Sequence, residues 1–438
     1  MGKKSFLGGI HPYDGKAFTM DKPITVHATK GELVFPMAQH IGAPAKPIVA
    51  KGDKVLVGQI LGEAPGFVSA NVISSVSGTV KAIEKRLTSA GRFDEAVIVE
   101  NDHTYTSVEN FGVEQDYEKL SKEEIRNQIK AAGIVGLGGA GFPTHVKLSA
   151  EETKIDYLIV NGAECEPYLT SDYRLMLEEP EKIINGLQIL LKLYNKAQGI
   201  IAIEDNKPEA IRILTELAAK ENNIEVRSLA TKYPQGGERH LIYSVTGRKL
   251  NSKKLPADVG CIVDNVYTII SVYNAVARQI PLIEKIITVS GDAVNTPVNL
   301  RVRTGTSYVE VLEAAGGFSA QPEKVILGGP MMGVPLFNLD IPVTKTTSSL
   351  LGFLKDEAAV EESACIRCGR CITKCPLQLM PYKIAEAAMR SDEEEYLKYN
   401  GLECCACGCC SYICPARRGL THAIIQTKKE VLDKRKRA

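Results

Sequence analysis

The chain has 438 residues, enough for several domains each with its own core, and 44% of them are hydrophobic and 24% charged. With 53 basic against 52 acidic side chains the net charge is +1, which excludes an extended basic surface for nucleic acid. No run reaches the roughly 18–20 apolar residues of a membrane span, and the opening MGKKSFLGGIHPYDG lacks the apolar core of about 7–15 residues that a leader carries.

From Pro44 to Glu84 the chain reads as short strands broken by glycine, KPIVAKGDKVLVGQILGE followed by VSANVISSVSGTVKAIE. Its V-x-x-G-D-x-V-x-x-G-Q rhythm resembles a lipoyl- or biotinyl-type barrel-sandwich hybrid. The connecting stretch APGFVSANV has no lysine to carry a swinging arm, so a structural barrel is expected. From Ser121 the periodicity turns helical in KEEIRNQIKAAG and leads into a glycine-rich loop, Gly136 to Thr144. Strand-like runs (Tyr157 to Val160, Gly199 to Ile203, Ile224 to Arg227) then alternate with helical ones (Glu181 to Tyr194, Pro208 to Lys220). This predicts an α/β layer with a mostly parallel sheet, closed by a helix near Val266 to Arg278. Ile283 to Leu339 is a small mixed segment that resembles the ubiquitin-like SLBB module. Ile341 to Glu362 reads as a linker, and a polar helix from about Ala423 to Lys436 follows the cysteine-rich region. The basic run Lys434 to Arg437 reads as a solvated tail.

Ten of the twelve cysteines lie between positions 365 and 414. Such crowding in a chain without a leader points to thiolates kept reduced for metal, not to disulfides. Cys365, Cys368, Cys371 and Cys375 precede Pro376, and Cys404, Cys407, Cys410 and Cys414 precede Pro415. Each run spells C-x2-C-x2-C-x3-C-P, the spacing that wraps a [4Fe–4S] cube, and two runs make the two-cluster ferredoxin arrangement. In that arrangement the fourth cysteine of each run ligates the other cube. One set is therefore Cys365, Cys368, Cys371 and Cys414, and the other Cys375, Cys404, Cys407 and Cys410. Zinc is the competing reading, and two identical four-member runs closed by Cys-Pro fit it badly. Cys405 and Cys409 fall off the ligand spacing, and Cys165 and Cys261 are expected to be ordinary buried cysteines.

GLGGAGFPTHVK, Gly136 to Lys147, is neither a Walker loop nor a G-x-G-x-x-G fingerprint. Its four glycines let backbone amides approach a flat ring or a phosphate, and Lys147 adds positive charge. NGAECEP, Asn161 to Pro167, follows at the end of a predicted strand, where α/β sheets place ligands. The seven histidines are scattered, and only His145 lies beside the loop.

The loop resembles the flavin mononucleotide loop of the NADH-oxidising flavoprotein subunit of respiratory complex I (GRGGAGFPTGLK), and Asn161 to Pro167 is similar to that family's NADESEP segment. GGE at Gly236 to Glu238 and DNVYT at Asp264 to Thr268 resemble its remaining flavin-site segments. GGIHPYDGK at the start, a barrel ahead of the flavin domain and a two-cluster end together resemble the layout of the C-subunit family of Rnf electron-transport complexes. The corrin reductase family shares the flavin loop, SLBB segment and paired clusters, and the N-terminal GGIHP segment favours Rnf over it. A non-catalytic wiring scaffold with an empty flavin site is the third reading.

The resemblance implies a multidomain α/β chain. An N-terminal segment with a barrel-sandwich domain spans 1–115, a Rossmann-like FMN/NADH domain 116–282, an SLBB module 283–345, and a two-[4Fe–4S] ferredoxin-like helical domain with its tail 346–438. It implies that Gly136, Gly138, Gly139, Gly141, Lys147, Asn161 and Glu164 line the flavin site, completed by Gly237, Glu238, Asn265 and Thr268. Phe142 is implied as a platform for the nicotinamide dinucleotide and Glu166 as a neighbour of its sugar. Phe142 as a plug on the core and Glu166 as a helix-start carboxylate remain alternatives. Departures from the complex I pattern are Leu137 for arginine, Ala163 for aspartate, Arg239 for glutamate, Asp264 for asparagine, and no second aromatic near Ala150. The implied cofactors are FMN and two [4Fe–4S] clusters, with NAD(H) as substrate. The implied partners are the other subunits of the membrane complex, including a ferredoxin-like iron–sulfur subunit. Peripheral association with the cytoplasmic face of the bacterial membrane goes with these.

Overall fold

Glycine-punctuated strands in the first hundred residues pair as two small antiparallel sheets. The computed structural model describes residues 4–437; Met1 to Lys3, which begin the stretch read for a leader, and Ala438 lie outside them. One sheet orders Glu32–Pro36, Phe93–Asn101, Gly78–Leu87 and Lys54–Val55, and the other Lys46–Pro47, Ile60–Glu63 and Val72–Ile73. Alternate residues point inward, so Leu33, Phe35, Leu61, Val76, Val97 and Val99 form a buried core between the sheets. The connection where a carrier domain would display its lysine instead docks on the next domain: the Phe67 carbonyl accepts from His145 Nε2 at 2.9 Å.

The next domain has the parallel sheet expected from its alternating pattern. Its order is Ile224–Leu229, Gln198–Glu204, Tyr157–Gly162, Cys261–Asn265. Both faces are covered, and the side chains divide by parity, as strand geometry requires. Leu158, Val160, Ile201 and Ile203 join the core beneath the helices Lys122–Ala131, Pro180–Leu191, Pro208–Ala218 and Val266–Arg278. Ile159, Ile200, Ala202 and Val263 face the helix Glu238–Thr246. Each Leu, Ile or Val among them, fully buried, stabilises the fold by roughly 1.5–3 kcal/mol. Ser121 starts the first helix with a reciprocal cap to Glu124. The chain runs outward from Tyr157–Gly162 through two strands and returns with Cys261–Asn265 on the other side of it. The C-terminal ends of those two strands thus form a topological switch point, the place where open α/β sheets bind ligands.

The third sheet corrects one expectation. Ile341 to Glu362, read as a linker, contains the strand Ser349–Phe353, which lies inside the sheet between Glu284–Ser290 and Lys324–Leu327. The edge of the same sheet is Ile24–Val26, parallel to Val298–Arg303, so a strand from the N-terminal segment completes a module about 260 residues away. Lys345, fully buried, donates to the carbonyls of Asn71 and of Gly133 (2.7 Å) and ties the barrel and the parallel-sheet domain to this module. The cysteine-rich end is helical. Pro381–Met389, Glu393–Lys398 and Leu420–Arg437 pack around Ile384, Tyr396, Leu420 and Ile424. In the tail, Lys434 pairs with Glu393 at 2.7 Å on the surface.

Candidate flavin and iron–sulfur sites

The glycine loop is held at both ends and bare in the middle. Val135 bridges Pro143, and Gly136 N donates to the Phe142 carbonyl at 2.9 Å. Leu137 N donates to Thr268 Oγ1 at 3.0 Å, while its side chain is buried in the domain core, which explains an aliphatic residue there. At Gly138 a Cβ would lie 2.7 Å from Asn265 Nδ2, and at Gly141, with φ +71°, 2.7 Å from Thr346 Cγ2. Both positions exclude larger residues. Gly139 faces open space and Phe142 is half-buried.

The floor of the cleft is the switch point. Asn161 and Asn265 are register partners on adjacent strands. Asn161 Nδ2 donates to the Gly236 carbonyl at 2.9 Å, which holds the Gly236–Glu238 segment in place. Asn265 caps the helix Val266–Arg278 by accepting from Tyr267 N, and its Nδ2 donates to Asp172 at 2.6 Å. Gly237 is the N-cap of the helix that begins at Glu238. Lys147 Nζ donates to the Val263 carbonyl and to Asp264 Oδ1, both at 2.9 Å. Burial works against its charge, but Asp264, helped by Glu238, holds the ammonium above its ordinary pKa. Burial pushes the Glu238 carboxyl up in turn, opposed by Lys147.

These residues fit a flavin mononucleotide. The exposed amides at Gly138 to Ala140 form a bare backbone surface, and Lys147 keeps one donor beyond the two it uses. Asp264 Oδ2 is buried with no partner among the described residues, so the wall of the cleft retains acceptor capacity.

Asn161 to Pro167 is shaped from below by a residue that sequence reasoning passed over. Lys16, in GGIHPYDGK, is buried and donates to the carbonyls of Glu164 (2.9 Å), Glu166 (3.1 Å) and Leu169 (2.6 Å). Glu164 takes a left-handed φ of 47°, with its side chain 3% exposed. It caps the helix Ser171–Glu178 by accepting from Asp172 N and Tyr173 N. Burial pushes its carboxyl up to about 7 in spite of Lys16. Glu166 lies beneath the turn GGPMMG, where Oε2 accepts from Met331 N at 3.1 Å. Burial raises it to about 7 as well. A side chain on Gly329 would overlap it, with a Cβ 2.0 Å from Oε2.

None of the twelve cysteines is in a disulfide. Cys375, Cys404, Cys407 and Cys410 line one cavity together with the off-spacing Cys405 and Cys409, walled by Leu379, Ile384, Thr421 and Ile424. Two backbone amides already aim at its sulfurs, Leu379 N at Cys375 Sγ (3.3 Å) and Ala406 N at Cys404 Sγ (3.4 Å). Burial raises the Cys371 thiol, and neighbouring Cys414 and Cys365 raise it further, so the second run's last cysteine sits with the first run. Cys365 and Cys368 are exposed. A cysteine-rich region of soft sulfur donors, with amide support at Cys375 and Cys404, suits iron–sulfur clusters.

The enclosed set abuts the cleft. Cys407 and Cys409 pack in one apolar cluster with Ile10, Tyr233, Cys165 and Met331. Cys165, expected to be an ordinary buried cysteine, is the residue of NGAECEP that makes this contact. It accepts from Gly236 N at 3.3 Å, and burial pushes its thiol up to about 12. The N-terminal strap spans the same junction: Gly9 N donates to the Lys374 carbonyl at 3.0 Å, and Ile10 and Tyr233 exchange backbone bonds. Arg239, in place of the glutamate, pairs with Glu403 across the junction at 3.0 Å.

Comparison with known proteins agrees with this layout. Residues 4–104 match the RnfC barrel sandwich hybrid domain, 129–274 the Nuo51 FMN-binding domain and 286–335 the SLBB domain. The chain is 46% identical over 380 residues to the C-subunit of the proton-translocating ferredoxin:NAD(+) oxidoreductase complex of Clostridium ljungdahlii, a match that spans 86% of this chain and 83% of that one. It is 43% identical over 438 residues to the C-subunit of the Na(+)-translocating ferredoxin:NAD(+) oxidoreductase complex of Acetobacterium woodii, over 99% and 98% of the two chains. Among solved structures, an NAD+-reducing [NiFe]-hydrogenase in the H2-reduced state shares the fold at TM-score 0.51 and 18% identity, over 73% of this chain and 62% of that one. The enclosed thiol set, the glycine-loop cleft and these matches together make the chain a member of the C-subunit family of ion-translocating ferredoxin:NAD+ oxidoreductase (Rnf) complexes.

Proposed function

We infer that this chain is the flavin and iron–sulfur subunit through which a membrane-bound, ion-translocating Rnf complex exchanges electrons between NAD(H) and one-electron carriers. One observation carries the reading: Asn161 to Pro167 forms the floor of the glycine-loop cleft and also packs, through Cys165, against the apolar cluster that holds Ile10, Tyr233, Cys407 and Cys409. FMN, when bound, supplies the conversion between a hydride and single electrons, and the cubes supply one-electron storage.

The protein's part is position and electrostatics. We assign Gly136, Gly138, Gly139 and Gly141 to close backbone approach, and Lys147 with the loop amides to the phosphate or the anionic reduced ring. Asn161, Glu164, Gly237, Glu238, Asn265 and Thr268 hold the remaining walls, and Phe142 is the platform for the dinucleotide. Glu166 acts from beneath, fixing the GGPMMG turn against the cleft. Ile10, Tyr233 and Cys165 exclude water between cleft and enclosed cysteines. Cys375, Cys404, Cys407 and Cys410 ligate the enclosed cube, and Cys365, Cys368, Cys371 and Cys414 the open one.

No helix among the described residues is long and apolar enough to cross a membrane. We assign ion movement to other subunits and place this chain at the cytoplasmic face, beside a ferredoxin-like iron–sulfur subunit. The test is the flavin content of the anaerobically purified protein together with NADH-driven bleaching of its iron–sulfur absorbance. Clusters that dithionite reduces and NADH does not would replace this reading with a wiring scaffold.

A further inference from the structure

Two loops of the N-terminal barrel clasp the glycine loop. Ile41 N donates to the Gly141 carbonyl at 3.2 Å, and the Phe67 carbonyl accepts from His145 Nε2 at 2.9 Å. These anchors bracket Phe142 in the chain. The clasp is tightly built. Ala43 N donates to the Val68 carbonyl at 3.0 Å, and a side chain on Gly42, with φ +107°, would collide with that oxygen. Ser69 Oγ donates to the Ala43 carbonyl at 2.7 Å, and Ala70 N donates to His40 Nε2 at 3.0 Å. Burial lowers the pKa of His145 and of His40, the latter to about 4, so neutral rings hold the clasp. Yet it presents apolar side chains to solvent: Phe67 is 59% exposed, and Ile41 and Val68 are exposed as well. The Phe67 ring stands edge-on to that of His145, with 5.8 Å between centroids.

A lone exposed aromatic needs no explanation, but this one is fixed by its backbone to a ligand loop. Lys147, two residues beyond His145, points the opposite way, to the Val263 carbonyl and Asp264 at the floor of the cleft. The loop thus has the switch point on one side and the barrel on the other. A dinucleotide carries two flat rings, and a flavin at the floor meets only the nicotinamide. The adenine needs a platform of its own, and flat aromatic faces supply one. Residues 143–150, PTHVKLSA, hold no aromatic side chain to work with Phe142. Phe67 is the aromatic that the barrel brings to this stretch. We propose that Phe67 is a positioning residue for the dinucleotide, an aromatic wall that takes the adenine ring together with Phe142. The proposal rests on the NAD(H) reading above and gives the barrel domain a part in the site: its hairpin, bare of a carrier lysine, supplies a binding surface instead.

The test uses the anaerobic holoprotein, with ADP-ribose as a calorimetric probe because it carries the adenine end and no nicotinamide. Phe67→Ala should weaken ADP-ribose binding by about 5- to 150-fold, the range that one stacked base contributes. KM for NADH in dye reduction should rise by a similar factor, with kcat falling by less than about twofold. Phe67→Tyr, which keeps the aromatic face, should bind like the wild type. Phe67→Leu, which keeps only apolar bulk, should bind like Phe67→Ala. Flavin and iron are measured in each variant, and if Phe67→Ala sheds flavin, Phe67→Tyr against Phe67→Leu decides. Wild-type affinity in Phe67→Ala, a fall in kcat without a rise in KM, or Phe67→Leu binding as well as Phe67→Tyr would each overturn the proposal and leave the NAD(H) reading standing. A wild-type holoprotein that binds neither NADH nor ADP-ribose would overturn that reading, and the proposal with it.

Discussion

Lys16→Met keeps most of the length of the side chain and removes its charge and its donors. Three carbonyls of the Glu164–Leu169 segment then lose a cationic partner at 2.6–3.1 Å. Hydrogen bonds to a charged group are worth roughly 1.5–3 kcal/mol each, which bounds the loss from above at about 5–9 kcal/mol. The desolvation of the ammonium is recovered, so the net cost is about 3–5 kcal/mol, as for other buried charges that lose one partner. The cost falls on one segment, so the sharp readout is amide hydrogen exchange across residues 163–173. Protection there should drop by between about 10²-fold and a few thousand-fold, at about 1.4 kcal/mol per decade, and flavin content should drop with it. A change below tenfold with full flavin content would mean that the segment holds its shape without the strap.

The remaining predictions test the site by parts. Cys375→Ser should remove the enclosed cube and Cys414→Ser the open one, each with loss of about half the iron and of a different paramagnetic signal; loss of the same signal in both would mean each run keeps its own four ligands. Lys147→Ala should lower flavin occupancy and leave iron intact, measured by absorbance and iron analysis; equal loss of both would remove the loop from the flavin site. Glu164 and Glu166 have folded pKa values raised to about 7 from 4.5. The native state therefore holds more protons than the unfolded one in that window, and stability falls as pH rises through it. Glu166→Gln should flatten that slope between pH 5 and 7 in denaturant titrations, and an unchanged slope would show that Glu166 does not titrate there.

Features written in spacing were readable from the chain. The cysteine intervals give an expectation of ligand exchange between runs, and Cys375 shares a cavity with five cysteines of the second run, Cys404, Cys405, Cys407, Cys409 and Cys410. The alternation of apolar runs predicted the parallel sheet, because strands covered on both faces have no polar side to blur the pattern. What spacing does not encode is which distant segments meet. Ser349–Phe353 is five residues long and follows a polar stretch, so nothing local marks it as an inner strand; its partners lie elsewhere in the chain. Cys165 matched the profile of any small buried side chain, and its place against the cluster of Ile10, Tyr233, Cys407 and Cys409 comes from how two domains dock. Lys16 looked like one of several lysines near the start, and only its burial against three carbonyls shows its part.

The strap at the start of the chain also bears on how the protein should be handled. Lys4 bridges to Leu229, Phe6 is buried, and Gly8 and Gly9 lie against the backbone from Lys374 to Pro376. Bulk fused to this strap should strain a segment that is built into the junction of cleft and thiols through Gly8 and Gly9. The terminal helix Leu420–Arg437 walls the cysteine cavity at its start and is continuously exposed from Lys434 to Lys436, and purification handles placed beyond that stretch should preserve reducibility by NADH that N-terminal fusions lose.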